Sequence, residues 1–228
     1  MLVCIPQVLD AGQLVSLRAR LDRANDAWVD GRVTAGYQGT PVKFNQQIDE
    51  RSDVAIDCQR IVVGALECNP LFISAVLPNM IYPPMFNRYG EGMKFGAHVD
   101  GSVRLHPHNG SKLRTDVSAT LFLTNPTEYE GGELEIDDTY GRHSVKLNAG
   151  DMVVYPATSL HQVRPITRGV RISCFFWVQS LIRDDSRRAI LYEMDEAIQR
   201  LNQTNADEVA RRSLIGCYHN LIRVWSET

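Results

Sequence analysis

Six short segments rich in β-branched and aromatic residues follow one another between Asn79 and Gln179, separated by Gly, Pro and Asn turns. They are "MIYPPMFNRY", "DVSATLFLT", "GGELEID", "HSVKLNAGDMVVYP", "LHQVRPI" and "VRISCFFWVQ". Strands of this length at this spacing specify a sandwich or barrel of the jelly-roll kind. Helical periodicity flanks them. Leu14, Leu17 and Leu21 recur at helical spacing over 10–27, with Asp10 as the N-cap. Two more helices are predicted over 53–67 and 70–77, the second with Pro70 at its first position. After Asp184-Asp185 the helical pattern returns, over about 185–202 and 206–225. The layout predicts an α+β fold in three parts. N-terminal helices and a loop pack on the core over 1–78, a jelly-roll core (a double-stranded β-helix) spans 79–182, and a C-terminal helical extension covers 183–228.

Bulk properties remove several classes of function. A net charge of −3 argues against a nucleic-acid surface. No apolar run reaches the roughly 18–20 residues that span a bilayer, and the start "MLVCIPQVLDAGQ" lacks the basic region of a signal peptide. Five cysteines, widely spread and without a C-x-x-C, read as reduced thiols of a cytoplasmic protein. The apolar stripes of the last two helices (Ile190, Leu191, Met194, Ile198 and Leu201; Leu214, Ile215, Tyr218, Leu221, Ile222 and Trp225) read as core-facing, with a homodimer surface as the alternative.

The chemistry starts at "GAHVDG" (96–101). With six histidines in the chain, a chance His-x-Asp has a probability of about 0.4, so the motif needs a context. In extended backbone His98 and Asp100 share a face and can present an imidazole and a carboxylate to one metal. A third ligand must come from elsewhere. His106 and His108 sit in the polar loop "RLHPHNGSKLR", and His143 follows a turn. His161 is favoured by hairpin geometry: symmetric pairing about a turn at Ile166 sets it opposite Arg171, and cross-strand partners share a face. A buried arginine requires an anion, and its planar fork suits a carboxylate. Two histidines and a carboxylate with open positions are the ligand set of non-haem Fe(II) oxygenases. A bidentate 2-oxo acid and O₂ would fill the open positions.

The segments "FNRYGEGMKFGAHVDG" (86–101), "GGELEI" (131–136), "AGDMVVYPATSLHQV" (149–163) and "RGVRISCFFW" (168–177) resemble, in order and spacing, the Fe(II)/2-oxoglutarate dioxygenases of the prolyl 4-hydroxylase-like group. More closely, the chain resembles the bacterial PKHD-type hydroxylases, and the resemblance includes "GRVTAGYQGTPVKFNQQ" (31–47) and the tail starting "RDDSRRAILYEMDEAI" (183–198). It implies Fe(2+) on His98, Asp100 and His161, and 2-oxoglutarate on Arg171. Tyr89, with Tyr82 as its rival, matches a tyrosine that contacts the co-substrate, and Ser173 fits an Arg-x-Ser pattern. L-ascorbate is carried over as an accessory reductant. Related halogenases have a small residue where Asp100 stands, so the carboxylate favours hydroxylation. The family's link to iron uptake points to an iron-chelating small molecule as substrate, and the prolyl-hydroxylase likeness to a peptide. The rival from another class is a cupin-like iron and 2-oxoglutarate sensor without turnover. Residues 31–49 and 104–114 are the expected lid, and Gly131-Gly132 a tight start to a strand.

Overall fold

Short polar side chains decide where the helices begin. The computed structural model describes residues 1–36, 39–139, 141–204 and 207–227. Asp10 accepts from the Gln13 amide while the Gln13 side chain accepts from the Asp10 N–H, a reciprocal cap that starts α1 (Ala11–Arg23). Ser52 caps α2 (Asp53–Glu67), Asn69 caps α3 (Pro70–Val76), Asp184 caps α4 (Asp185–Gln203) and Asp207 caps α5 (Glu208–Trp225). Ahead of α2 lie four strands, β1 (Val3–Ile5), β2 (Trp28–Asp30), β3 (Lys43–Phe44) and β4 (Gln46–Ile48). Between α3 and α4 lie β5 (Pro78–Ile81), β6 (Met85–Tyr89), β7 (Lys94–His98), β8 (Val103–Leu105), β9 (Lys112–Arg114) and β10 (Val117–Phe122). They are followed by β11 (Tyr129–Gly131), β12 (Leu134–Asp138), β13 (Gly141–Val145), β14 (Met152–Pro156), β15 (His161–Val163), β16 (Ile166–Gly169) and β17 (Arg171–Ser180).

The strands form two principal antiparallel sheets. The larger runs β1-β14-β10-β17-β6-β4-β2, with β5 also on β17; the smaller runs β13-β12-β15-β7-β3. β17 explains how the larger sheet is covered. Ile172, Cys174, Phe176 and Val178 join Leu17, Leu21, Val62, Leu66 and Phe72 in the core under α1–α3. Arg171, Ser173, Phe175 and Trp177, on the alternate face, line a cavity of about 480 Å³ to which the smaller sheet also contributes His98, Leu134, His161 and Val163. Covered on both sides, "RISCFFWV" shows no polar alternation along most of its length.

Three expectations differ from the structure. The 31–49 segment is not one loop: it holds 3-10 turns and β3 and β4, and β3 joins the smaller sheet while β2 and β4 edge the larger. Strands of two or three residues are too short for any periodicity to register. Tyr37 and Gln38 of that segment lie outside the described residues. His161 is not the hairpin partner of Arg171. β15 pairs with β7 and β12, β16 pairs with β11, and β17 pairs with β10, β6 and β5, so the two side chains come from different sheets. The C-terminal stripes are only partly covered. Leu191 and Ile198 are buried, and Tyr218, Leu221, Ile222 and Trp225 pack against Leu77, Ile182 and Leu191, but Ile190 and Leu214 are exposed.

Candidate metal and co-substrate site

A β-bulge aims the first histidine. On β7 and β15, His98 pairs with His161 and Phe95 with Val163, so three steps along β7 answer two along β15. The extra residue turns His98 to the side of the sheet that Phe95 occupies, and both line the cavity. Strict alternation would have put them on opposite faces. The rings of Phe95 and His98 stack with centroids 3.6 Å apart.

His98, Asp100 and His161 converge. One ligand atom from each lies within 4.8 Å of the other two. The Asp100 oxygens are 3.8 Å from His98 Nε2 and 3.7 Å from His161 Nε2. Both imidazoles are held from behind: His98 Nδ1 is 2.8 Å from the Gly96 carbonyl and His161 Nδ1 is 3.0 Å from the Ser159 carbonyl. A carbonyl at that distance fixes the proton on Nδ1 and leaves Nε2 with a free lone pair, the tautomer a metal needs. Ser118 Oγ, from β10, donates to Asp100 Oδ2 at 2.6 Å. Burial, and then the neighbouring His161, push the His98 pKa down, which keeps that ring neutral.

Across the cavity, β17 and β6 present a second cluster in direct register, with Arg171 opposite Tyr89 and Ser173 opposite Asn87. Arg171 is 1% exposed. Its Nη1 donates to Ser173 Oγ at 2.7 Å, and Ser173 Oγ in turn donates to Asn87 Oδ1 at 2.6 Å. Arg171 Nε and Nη2 make no close hydrogen bond, and the Tyr129 hydroxyl lies beside the guanidinium. Gly132 sits at φ +67°, and a Cβ there would stand 2.3 Å from Ile166 Cδ1 and 3.1 Å from Arg171 Cδ. The glycine gives the arginine stem its room, a closer relation to the site than a strand start. A buried cation with two donors left open fits a carboxylate, so this end of the cavity suits an organic acid and the other end a metal.

Tyr89 lines the cavity 5.5 Å from the Arg171 guanidinium, and burial pushes its hydroxyl up to about 12. Tyr82 instead donates to Glu50 at 3.1 Å and packs edge-on against Trp177. His106 and His108 lie at the tip of the β8–β9 hairpin, and His143 is bound to Asp138 on the outer edge of the smaller sheet. Sequence reasoning passed over Lys43. It is 5% exposed and lines the cavity; burial, and then Arg104, lower its pKa to about 7. Its signal was inverted alternation in "KFN", where Lys43 and Asn45 are buried and Phe44 between them is 54% exposed.

Jelly-roll sheets, a two-histidine-one-carboxylate cluster and a facing arginine define a class. Residues 84–179 match the model of the 2OG-Fe(II) oxygenase superfamily, and residues 185–227 match that of the PKHD-type hydroxylase C-terminal domain. The chain is 76% identical over its full length to a PKHD-type hydroxylase of Cupriavidus metallidurans and 73% identical to one of Cupriavidus pinatubonensis, each covered completely. It belongs to the PKHD-type hydroxylase family, and is an enzyme of the 2OG-Fe(II) oxygenase superfamily. The fold is shared with a Pseudomonas putida prolyl-4-hydroxylase (TM-score 0.53, 22% identity, 78% of this chain and 92% of that one). It is shared also with HygX of Streptomyces hygroscopicus, solved with nickel, 2-oxoglutarate and hygromycin B (TM-score 0.54, 15% identity, 79% and 84%). Among the described residues, no helix is long and apolar enough to cross a membrane.

Proposed function

We propose that this chain hydroxylates a carbon centre of a peptide or small molecule, with Fe(2+) held by His98, Asp100 and His161 and 2-oxoglutarate held by Arg171. The observation that carries this reading is the pairing, in one cavity, of a three-ligand cluster with a buried guanidinium that has two open donors. When bound, the iron and 2-oxoglutarate supply the oxidation, which consumes O₂, releases succinate and CO₂ and converts a substrate C–H to C–OH.

The chain supplies position and exclusion of water. The Gly96 and Ser159 carbonyls orient the two imidazoles, and Ser118 fixes one Asp100 oxygen. Arg171 grips the far carboxylate of the co-substrate, with its fork set by Ser173 and, behind that, Asn87. Tyr89 closes the wall beside the guanidinium. Thr34, Ala35 and Gly36 from one segment, and Arg104 from the other, line the cavity, so both are suited to act as the lid. L-ascorbate is retained as the accessory reductant, and the iron-uptake link of the family leaves a small iron-chelating substrate beside a peptide.

The test is succinate formation from 2-oxoglutarate with Fe(2+) and O₂, in wild type and His161→Ala, coupled to untargeted profiling for products that gain one oxygen. Turnover lost in the variant supports the reading. Absence of succinate from the wild type with every substrate offered would instead assign the cavity to a sensor.

A further inference from the structure

Two cations stand on the cavity wall away from Arg171. Lys43 donates through Nζ to Thr34 Oγ1 at 3.1 Å and to Gln47 Oε1, and in its protonated form it has one further N–H to offer an anion. Its register partner on β7 is Phe95, the ring stacked on His98, and the ammonium is 5.2 Å from the centroid of that ring. Arg104 lies with its guanidinium 4.1 Å from the Trp177 ring and 4.9 Å from the Tyr82 ring, and its buried Nε has no partner. Neither cation is within 4.0 Å of a carboxylate among the described residues.

The function proposed above, on which this inference rests, sharpens the imbalance. The charges of a divalent metal, Asp100, dianionic 2-oxoglutarate and Arg171 cancel. Arg104 then remains as a net positive charge on the cavity wall, and Lys43, whose burial disfavours its charged form, is held fully charged only when an anion meets it. A structural lysine would be matched by a carboxylate or replaced by an apolar residue of similar length. Phe95, Phe175 and Trp177 complete this wall. Donors to spare beside aromatic faces suit an anion attached to an apolar body.

We infer that Lys43 and Arg104 form the specificity subsite of this enzyme and that its substrate presents a carboxylate, carried on an apolar or aromatic body, to that subsite. The carboxylate would hold the substrate with its reacting carbon toward His98 and Asp100, and the lid segments that supply Thr34 and Arg104 would close on it.

The experiment uses the full-length protein loaded with Zn(II) and 2-oxoglutarate, a diamagnetic and non-reacting form, in ligand-observed NMR titrations. The ligands are two matched pairs: 3-phenylpropionate with 3-phenylpropanamide, and N-acetylphenylalanine with its amide. The first pair reports a small acid and the second a peptide C-terminal carboxylate. Wild type binds the acid of at least one pair about tenfold more tightly than its amide. Lys43→Met and Arg104→Met each reduce that ratio to about twofold or less, and Lys43→Arg retains it. Equal binding of acid and amide by wild type overturns the inference, as does a preference that survives both methionine variants. A tenfold weaker 2-oxoglutarate Kd in Lys43→Met would assign Lys43 to the co-substrate and overturn it as well. Failure of wild type to bind 2-oxoglutarate, measured in the same series, removes the function proposed above, whereas normal 2-oxoglutarate binding without acid preference removes only this inference.

Discussion

Replacing Arg171 by Met should separate stability from co-substrate binding, because the arginine is buried with two of its three nitrogens unpartnered. Methionine keeps the stem in its slot beside Gly132 and removes the charge. The metal-loaded protein without 2-oxoglutarate therefore melts within a few degrees of wild type: the lost Nη1–Ser173 hydrogen bond is offset by relief of an uncompensated buried cation. Binding behaves differently. Truncating one side of a buried charge pair costs about 2–5 kcal/mol, and about 3 kcal/mol weakens the 2-oxoglutarate Kd by roughly 150-fold. At a concentration near 100 times the wild-type Kd, 2-oxoglutarate stabilises wild type by about 2.7 kcal/mol and the variant by about 0.3 kcal/mol. For a chain of 228 residues, these correspond to melting shifts of about 6 °C and under 1 °C. Differential scanning fluorimetry under nitrogen with Mn(II) reads both quantities. Two results would refute the reasoning: a large loss of stability in the unliganded variant, which would make the guanidinium a structural tie, or a full 2-oxoglutarate shift retained by the variant.

Removing the Ser118 hydroxyl in Ser118→Ala should weaken Fe(II) or Mn(II) binding by about 10- to 100-fold while the melting temperature of the metal-free protein changes little, read by competitive metal titration. Gly132→Ala forces a positive φ on a residue with a Cβ and crowds Arg171 Cδ, so it costs about 1–2 kcal/mol and weakens 2-oxoglutarate more than metal, read by denaturant melts and paired titrations. Lys43, with a pKa lowered to about 7 in the fold, must lose a proton on folding above that pH, so the unfolded chain binds more protons there. Stability of the metal-free protein then rises with pH between about 7 and 10, by roughly 1 kcal/mol per unit from pH 8 to 9 relative to Lys43→Met. Urea melts of the two proteins across that range check the sign, and parallel curves would contradict it.

Much of the architecture was legible in local chemistry. Asp10 announces α1 through a capping oxygen and Pro70 marks the first position of α3; Ser52, Asn69 and Asp184 cap α2, α3 and α4 in the same way. The metal cluster was legible for a similar reason: His98 and Asp100 are two apart, and His161 lies in a strand segment, as His143 also does. The route to His161 was nevertheless mistaken. A symmetric hairpin at Ile166 would have joined β15 to β17 in one sheet, whereas Gly169 and the β11–β16 pairing carry the chain across to the other sheet. Arg171 still reaches the cavity because the two sheets face each other. The bulge that turns His98 inward lies in "FGAH", where Gly96 alone signals an extra step and does not say which side chain it turns. Lys43 was hidden by brevity, since β3 has two residues and its burial depends on pairing with Phe95 far along the chain. Polar positions that point inward, with Phe44 outward between them, are a violation of ordinary patterning that a search for functional sites can use.

The central claim is that one cavity holds Fe(II) on His98, Asp100 and His161 and a 2-oxo acid on Arg171. Anaerobic titration of the Fe(II)-loaded protein with 2-oxoglutarate, followed by the visible metal-to-ligand charge-transfer band, tests both halves together. Wild type should develop the band with one-to-one stoichiometry, His161→Ala should not develop it, and Arg171→Met should reach it only at roughly a hundredfold more 2-oxoglutarate. An unaltered band in His161→Ala, or an Arg171→Met titration superimposable on wild type, would contradict the claim.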